Sequence, residues 1–387
     1  SKGVLTLASF LAMRFGRRRG LSLSATLSFE QTYGMIDGDS AKRTLWAKVL
    51  QQRSEIGLPY IVFEDAANRG AADVYQAKGM RIRSSNLCSE IMLPVAEDES
   101  FVCCLSSLNL LHFDEWKDTD AAETLTFFLD AVMSEFIEKS DSAPGLQRAN
   151  TFARRHRALG VGVLGWHSYL QENMVPIGSR DAAMRNRQVF KHIRNATYSA
   201  SAELAQRYGE PELLDGFGRR NSTLIAIAPT TSSSFILGQV SQSIEPLRSN
   251  YYVKDLAKSV TTYRNPRLQR VLAERGHDTP SVWRSILEHD GSVRHLDVLD
   301  DDERKVFATF AEVSQLDLVI QAAQRQEFID QSQSLNLMVH PATPTKDLNA
   351  LHLEAWERGV KTLYYQHSLN AAQEFNRELL TCTACEA

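Results

Sequence analysis

An amide, a thiol and a carboxylate occupy every second position of the chain at Asn86, Cys88 and Glu90. In an extended backbone, residues at i, i+2 and i+4 project from one face, so this spacing presents all three side chains to one ligand. Such a trio can combine sulfur chemistry with general acid–base catalysis. The structural alternative is a strand with a small buried cysteine and two incidental polar residues. For so short a pattern taken alone, that alternative is favoured.

The other cysteines fall in two places. Cys103 and Cys104 are adjacent, and Cys382 and Cys385 form a CxxC near the last residue of the sequence. A zinc site needs two more ligands, and no second CxxC or CxxH occurs, so a dithiol that exchanges with a buried disulfide is favoured. A disulfide between Cys103 and Cys104 would be strained, and Cys104 is interpreted as a small buried apolar residue.

A hydroxyl-rich loop at residues 229–233 (PTTSS) follows the continuously apolar run Leu224–Ala228. Such a run is typical of a strand that is buried on both faces. Hydroxyls and free backbone amides at the start of a following helix would form a cradle for an anion. A polar loop with a serine N-cap is an equally simple interpretation of this segment alone.

Two adjacent tyrosines, Tyr364 and Tyr365, lie in the strand-like run Val360–Tyr365. Neighbouring strand residues point to opposite faces, so one core tyrosine and one surface tyrosine is the simplest interpretation of the pair by itself.

The composition is that of a globular protein: 387 residues, 43% hydrophobic and 23% charged. The net charge of −4 gives no footprint of a nucleic-acid binder. No run approaches the roughly 18 apolar residues of a membrane helix, and the apolar segment Val4–Met13 has its arginines on the wrong side for a signal peptide. The odd number of cysteines, five, does not fit a secreted disulfide framework, so we expect a cytoplasmic protein.

The pattern of apolar residues predicts the elements that must position these side chains. Helices are predicted over residues 41–57, 120–138, 181–208 and 316–329, and strands over 59–63, 224–228 and 360–365. Strands that alternate with long helices predict an α/β fold with a barrel-like arrangement. The periodicity fades after about Phe375, which predicts a flexible tail over residues 376–387.

Together these motifs resemble the large (alpha, catalytic) subunit of class I ribonucleoside-diphosphate reductase. The stretch Arg81–Ile91 (RIRSSNLCSEI) is similar to the family's finger loop, and Cys103 precedes a Leu-Ser-x-x-Asn-Leu pattern. Residues 243–246 (SIEP) are similar to its IEP segment, although Leu247 replaces the usual second proline, and residues 359–366 (GVKTLYYQ) are similar to its tyrosine pair. The resemblance covers residues 42–375 and leaves 1–41 unmatched.

The resemblance implies reduction of ribonucleotides to 2′-deoxyribonucleotides by thiyl-radical chemistry. Cys88 would carry the radical and remove the 3′ hydrogen of the ribose, while Glu90 would accept the 3′-hydroxyl proton and Asn86 would hold a sugar hydroxyl. The residues implied in substrate binding are Ser85, Asn86, Leu87, Cys88, Ser89, Glu90, Pro229, Thr230, Thr231, Ser232 and Ser233.

The remaining roles implied by the family concern electrons. Cys103 would supply one reducing equivalent, Tyr364 and Tyr365 would pass the oxidising equivalent to the radical cysteine, and Cys382 and Cys385 would regenerate the dithiol. Thioredoxin or glutaredoxin would reduce this tail. A separate radical-generating small subunit would hold the metal–radical cofactor, so neither metal nor organic cofactor is expected in this chain.

The family also implies the C-terminal half of a ten-stranded α/β barrel, with a finger loop and a redox-active tail. The first half of the barrel and the nucleotide effector sites would belong to an upstream chain, because the resemblance covers only the C-terminal half of the family's subunit. The second reducing thiol would lie there too, because no cysteine precedes Cys88. A natural split subunit is favoured over intein or proteolytic processing and over an artificially shortened piece. Partners would therefore be this upstream chain, the small subunit and a ribonucleoside diphosphate, without nucleic acid or membrane.

Two rival functions remain open at this point. A non-catalytic reductase-like regulatory protein would be expected to lose catalytic positions, whereas every position expected in this span is present. A free-standing thiol oxidoreductase using Cys382 and Cys385 would leave the finger loop unexplained and lacks a thioredoxin-like context around the CxxC.

Overall fold

The computed structural model describes residues 24–27, 40–256, 259–340 and 342–368. The CxxC at Cys382 and Cys385 and the predicted tail over 376–387 therefore lie outside the described residues, as does most of the segment 1–41. The domain boundaries proposed from the sequence stay predictions.

The helices confirm each of the long amphipathic patterns in the sequence. In chain order they are α1 (Ser40–Ile56), α2 (Glu64–Arg69), α3 (Asp73–Ala77), α4 (Phe113–Trp116), α5 (Ala121–Ser140), α6 (Gln147–His156), α7 (Trp166–Glu172), α8 (Arg180–Tyr208), α9 (Thr231–Ile236), α10 (Pro266–Glu274), α11 (Pro280–Glu288), α12 (Asp301–Val306), α13 (Gln315–Gln326) and α14 (Thr345–Glu357). Single 3₁₀ turns lie at Leu110–His112 and Glu212–Leu214. None of these helices has the combination of length and apolarity that a membrane crossing requires, within the described part of the chain.

The strands are two to six residues long. They are β1 (Ser24–Leu27), β2 (Tyr60–Phe63), β3 (Leu105–Asn109), β4 (Gly160–Leu164), β5 (Tyr251–Leu256), β6 (Ser259–Arg264), β7 (Leu337–Met338), β8 (Thr362–Leu363) and β9 (Gln366–His367). β1 and β2 are parallel, β2 and β8 are antiparallel, and β7 is parallel to β9.

Four parallel segments lie side by side in the central part of the chain. β3 pairs with β4 along its whole length, from Leu105↔Gly160 to Asn109↔Leu164. The predicted strand 224–228 follows through a bridge between Val161 and Ile225, and Ile227 then bridges to Gln333. The prediction that 224–228 is buried throughout its apolar run is confirmed for Leu224–Ile227, but it pairs through isolated bridges and not through a continuous ladder.

Glycines in β4 explain how closely these segments approach one another. A Cβ on Gly162 would lie 2.7 Å from the carbonyl oxygen of Ala226, and a Cβ on Gly160 would lie 2.9 Å from the Ala226 side chain. Any larger residue would push the segments apart. The Gly-x-Gly of β4 is therefore required by packing in the sheet.

The helices follow the order of the strands. α5 packs on β3 and on α8, α8 packs on α13, α13 packs on α14, and α14 packs on α1. Each parallel segment is thus followed in the chain by a helix that joins one continuous helical layer, which confirms the α/β alternation predicted from the sequence. The shared core contains the fully buried Trp166, Val161, Ile225 and Phe190.

Helices α10 to α12 build a second, smaller core. Leu268, Trp283, Ile286 and Phe307 are buried together there, apart from the core that joins the sheet to the helical layer. This unit follows β6 and precedes α13, so it is an insertion between two of the parallel segments.

One buried carboxylate fixes the start of the 224–228 segment. Asp330 Oδ2 accepts hydrogen bonds from the backbone N–H groups of Leu224 (2.8 Å) and Ile225 (3.1 Å). Its Oδ1 accepts from the Tyr198 hydroxyl at 2.6 Å and pairs with Arg194 at 3.3 Å. Asp330 is 5% exposed, so these partners replace water almost completely.

We expect Asp330→Ala to lower the free energy of unfolding by about 3–5 kcal/mol, because it leaves buried donors and a guanidinium without their partner. Urea unfolding followed by circular dichroism measures this change. The matched control is Asp302→Ala, whose side chain is 84% exposed and pairs with Lys305 on the same helix. The control should change stability by less than about 0.5 kcal/mol, and an equal loss in both variants would contradict the assignment.

Candidate active site

The segment that carries Asn86, Cys88 and Glu90 forms a turn, so the predicted extended backbone is wrong. The N–H of Ser89 donates to the carbonyl oxygen of Asn86 at 3.3 Å, and Ser89 has a φ of +66°. The physical reason is local: the Asn86 side-chain oxygen accepts from the N–H of Ile91 at 3.2 Å, which offers the backbone an alternative to extended pairing. The side chains therefore converge around a turn and not along one face of a strand.

The segment after Asp330 holds this turn in place. The Ser334 hydroxyl donates to the Cys88 carbonyl oxygen at 2.6 Å, and the N–H of Ser332 donates to the Glu90 carbonyl oxygen at 2.9 Å. Gln331 Oε1 accepts from the N–H of Met92 at 3.1 Å. Sequence reasoning missed these contacts because serine and glutamine at positions so distant in the chain carry no pattern that marks them.

Glu90 is almost fully buried beside the thiols. It is 2% exposed, and burial is the main cause that raises the pKa of its carboxyl above the ordinary value. Hydrogen bonds from Asn86 and from Ser334, whose Oγ lies 3.3 Å from Glu90 Oε2, oppose this shift in pKa. A carboxyl group with a raised pKa can both accept and return a proton near neutral pH.

The Cys88 thiol is joined to Tyr364. Burial first, and then the charge of Glu90, raise the pKa of Cys88, while the hydrogen bond with the Tyr364 hydroxyl lowers it. The net direction is upward, so Cys88 keeps its proton at neutral pH. A protonated thiol that contacts a phenol can exchange a hydrogen atom with it, whereas a thiolate could not.

Cys103 lies in the same group, and Cys104 does not. The Asn86 side-chain nitrogen is 4.0 Å from Cys103 Sγ, and burial followed by the charge of Glu90 raises the pKa of Cys103 to about 11. Cys104 is 8% exposed and its thiol donates to the Leu129 carbonyl oxygen at 3.5 Å. Cys88, Cys103 and Cys104 are all free thiols. The burial of Cys104 confirms its interpretation as a small buried apolar residue.

Three tyrosines meet next to Cys88. The rings of Tyr364 and Tyr365 have centroids 4.6 Å apart and are tilted by 61°, so they touch edge to face and are neither stacked nor on opposite sides of a strand. The Tyr60 ring lies 4.5 Å from Tyr364 and 4.9 Å from Tyr365, and after burial both tyrosines help to raise the pKa of the Tyr60 hydroxyl. Sequence reasoning missed Tyr60, because a tyrosine at the start of a buried strand is ordinarily a core residue.

A cavity of about 490 Å³ joins the cysteine to the hydroxyl-rich loop. Its lining residues are Cys88, Pro229, Thr230, Thr231, Ser232, Gln242, Arg248, Asn336, Tyr364, Tyr365 and His367. Ser233, Asn86 and Glu90 are not among them. The structure thus brings seven of the residues singled out in the sequence to this cavity, with Gln242, Arg248, Asn336 and His367 as additions.

The hydroxyl-rich loop leads into the short helix α9, as predicted. Thr230 has a φ of +50°, and its hydroxyl oxygen accepts from the N–H of Ser243 at 2.8 Å, which ties the loop to the segment resembling IEP. Thr231, Ser232 and Ser233 are exposed in the first turn of α9. The amides of a first helical turn have no partner within the helix, so they are free to bind an anion.

Arg248 supplies positive charge at the cavity. Its Nη2 is 2.8 Å from Nε2 of His367, whose ring stacks on Tyr365 at 5.6 Å. Burial, with a further contribution from Arg248, lowers the pKa of His367 to about 4, so the imidazole is neutral and accepts the hydrogen bond. An exposed guanidinium beside hydroxyls and free amides favours a phosphorylated ligand. Among the described residues, no group of three or more His, Cys, Asp or Glu side chains is placed to bind a metal ion.

Comparisons with known proteins define the family. The family model described as "Ribonucleotide reductase, barrel domain" matches residues 27–216 and 211–366. A ribonucleoside-diphosphate reductase large subunit from Invertebrate iridescent virus 3 is 44% identical over 84% of this chain and 52% of its own length. A putative ribonucleoside-diphosphate reductase large subunit from Frog virus 3 is 38% identical over 91% of this chain and 64% of its own length.

A solved structure agrees with the sequence relatives. The Actinobacillus ureae class Id ribonucleotide reductase alpha subunit superposes with a TM-score of 0.86 and 57% sequence identity, covering 90% of this chain and 65% of that chain. The present chain belongs to the ribonucleotide reductase family and contains part of the barrel domain of its large subunit. It spans roughly half to two thirds of the length of these relatives. The expected fold class, a part of the reductase barrel, is confirmed.

Proposed function

We propose that this chain carries the radical site of a ribonucleoside-diphosphate reductase, which replaces the ribose 2′-hydroxyl with hydrogen. The observation that carries the proposal is the placement of the Cys88 thiol. It contacts the Tyr364 hydroxyl on one side, lies beside Glu90 and Cys103 on another, and lines the cavity that holds Thr230 to Ser232. A thiol that joins a chain of phenols to a ligand cavity has the contacts that a radical cysteine requires.

The oxidising equivalent would reach Cys88 through the tyrosines. A radical on the Tyr364 oxygen would take the hydrogen atom of the Cys88 thiol, so the S–H bond breaks, an O–H bond forms and the unpaired electron moves to sulfur. The thiyl radical would then remove the 3′ hydrogen of the ribose. Because one electron and one proton move together, no buried charge is created at either step.

Glu90 and the thiols would complete the reduction. Loss of the 2′-hydroxyl as water requires a proton at that oxygen and removal of the 3′-hydroxyl proton, which the buried Glu90 carboxylate would accept. Cys103 and a second thiol would supply two electrons and two protons and would end as a disulfide. One of these protons would leave with the 2′ oxygen as water and the other would end on the 2′ carbon, while Glu90 would return its proton to the 3′ oxygen. Cys88 would finally return the hydrogen atom to the 3′ carbon. Asn86, which contacts Cys103 and Glu90, would orient a sugar hydroxyl.

The diphosphate of the substrate would bind at the start of α9. Thr231 and Ser232 are exposed there, and Arg248 adds a positive charge at the same cavity. Pro229 to Ser233 would thus hold the phosphates, while the turn from Ser85 to Glu90 holds the sugar. Ser233 would contribute through its first-turn amide, because its side chain does not line the cavity.

The family to which the chain belongs indicates the partners of the reaction. A separate small subunit would deliver the oxidising equivalent from its own metal–radical cofactor. An upstream chain would provide the remaining barrel strands, the second reducing thiol and the effector sites. Cys382 and Cys385 would pass reducing equivalents from thioredoxin or glutaredoxin to the active-site disulfide. A cytoplasmic location suits these partners.

Turnover of CDP to dCDP tests the proposal. This chain is combined with its upstream chain, a cognate small subunit and thioredoxin, and dCDP is measured by chromatography. Product that requires both chains supports a catalytic role. Absence of product, with binding between the two chains retained, would instead support a regulatory reductase-like protein.

A second expectation concerns Tyr60. We expect Tyr60→Phe to lower kcat by about 3–30-fold, because the ring contacts remain while the hydroxyl that interacts with both phenols of the pair is lost. The KM for CDP should stay within about twofold, since Tyr60 does not line the cavity. A rise in KM with kcat unchanged would show that Tyr60 serves substrate binding and not the tyrosine pair.

A further inference from the structure

A buried arginine lies behind the three tyrosines. Arg53 is in the last turn of α1 and is 0% exposed. Its Nη1 donates to the carbonyl oxygen of Pro59, the residue before Tyr60, and its Nη2 donates to the carbonyl oxygen of Tyr364 at 3.2 Å. One planar guanidinium therefore ties the backbone of Tyr60 to the backbone of Tyr364.

The charge of Arg53 has no carboxylate partner among the described residues. Its hydrogen bonds go to backbone carbonyl oxygens, and Nε has no hydrogen-bond partner in the described part of the chain. Burial lowers the pKa of Arg53 to about 9, so the group remains charged at neutral pH. A buried cation without a counter-ion is costly, and a hydrophobic residue of similar size would ordinarily be more stable there.

The ionisable groups around Arg53 do not compensate this charge. Burial raises the pKa of Tyr60 and of Tyr364 far above neutrality, so both phenols are uncharged. Burial and the charge of Arg53 lower the pKa of His352 to about 3, so this imidazole is also neutral. The cation is therefore held by carbonyl dipoles, and it faces neutral groups on β2, on α14 and in the tyrosine segment.

We propose that Arg53 is a positioning residue for the hydrogen-atom transfer between Tyr364 and Cys88. Its guanidinium fork fixes the two backbone segments that carry Tyr60 and Tyr364, and so it keeps the Tyr364 hydroxyl against the Cys88 sulfur. The two carbonyl oxygens lie in different directions, and both accept hydrogen bonds from the one planar guanidinium. The ammonium of a lysine does not have this fixed arrangement of donors. This inference rests on the proposed function for its kinetic consequence, but its structural consequence can be measured without turnover.

The first test uses the thiol itself. The Tyr364 hydrogen bond lowers the pKa of Cys88, so loss of this contact should raise that pKa and slow alkylation. In Arg53→Met we expect iodoacetamide labelling of Cys88 at pH 8, read by peptide mass spectrometry, to slow by about 3–10-fold. Labelling of Cys103 in the same sample should be unchanged. Equal rates for Cys88 in the wild type and the variant would overturn the proposal.

The second test uses turnover in the reconstituted reductase. Arg53→Met should lower kcat by at least about tenfold with KM for CDP unchanged. Arg358→Met should match the wild type, because Arg358 is the exposed residue that follows α14. Arg53→Lys serves if the Met variant does not fold. The pKa of a buried lysine falls towards neutrality, so turnover of this variant should decrease from pH 6.5 to 8.5 relative to the wild type.

The outcomes separate the two proposals. A wild-type chain that gives no dCDP in any combination refutes the proposed function, and the labelling of Cys88 still tests the role of Arg53. If the wild type turns over and Arg53→Met has the same kcat, the role of Arg53 is refuted and the proposed function stands. If Arg53→Met does not fold, Arg53→Lys takes its place. A wild-type kcat and a flat pH profile in Arg53→Lys would then refute the role of Arg53.

Discussion

Cys88→Ser is expected to abolish dCDP formation, with a loss of at least about 10³-fold that reaches the assay background. The serine O–H bond is too strong for a tyrosyl radical to break, so the oxidising equivalent stops at Tyr364. The substitution removes little volume, and the Ser334 hydroxyl bonds to the carbonyl oxygen of Cys88, which serine retains. Binding of CDP and assembly with the upstream chain should therefore remain, and equilibrium dialysis with labelled CDP measures this.

Cys104→Ser is the matched control for this experiment. Cys104 is adjacent to Cys103 in the chain, but its thiol faces the Leu129 carbonyl oxygen and not the cavity. A serine there can make the same hydrogen bond, so turnover should stay within about threefold of the wild type. Substantial turnover by Cys88→Ser, or equal losses in both variants, would contradict the radical role of Cys88.

Glu90→Gln should lower kcat by about 10²–10⁴-fold, because the amide cannot accept the 3′-hydroxyl proton. The hydrogen bonds around the side chain can be kept, so the change in KM should be small. The pH profile gives an independent readout. The base acts in its ionised form and burial raises its pKa, so wild-type turnover should rise with pH along a limb that lies above the ordinary pKa of glutamate. This limb should be absent from the residual activity of Glu90→Gln.

Glu135→Gln provides the control for the charge change. Glu135 lies on the exposed side of α5, where its partner is Lys139 on the same helix, and its loss should leave both kcat and the pH profile unchanged. If Glu90→Gln retained wild-type kcat, another group would have to accept the proton. Glu245 is then the first alternative, because burial raises its pKa to about 7 and its Oε1 accepts a hydrogen bond from Asn336, which lines the cavity.

The sequence by itself indicated the family and the main elements. The finger-loop stretch Arg81–Ile91, the positions of the cysteines and the tyrosine pair indicated the family in combination, because each motif alone also fits an ordinary structural interpretation. The long helices α5 and α8 were also predictable, since apolar periodicity over many residues is a local signal. The buried run at Leu224–Ile227 was predictable for the same reason.

The tertiary structure decided how these residues meet. The Asn86 side chain bends its segment into a turn, which a periodicity of two residues cannot reveal. Tyr60, Ser334 and Arg53 join the site from positions that are remote in the chain, and each belongs to a residue type with many ordinary uses. These contacts form when strands and helices pack, because packing brings residues together that are far apart in the sequence. The sequence records each partner separately, so the pairing itself becomes visible only in the folded chain.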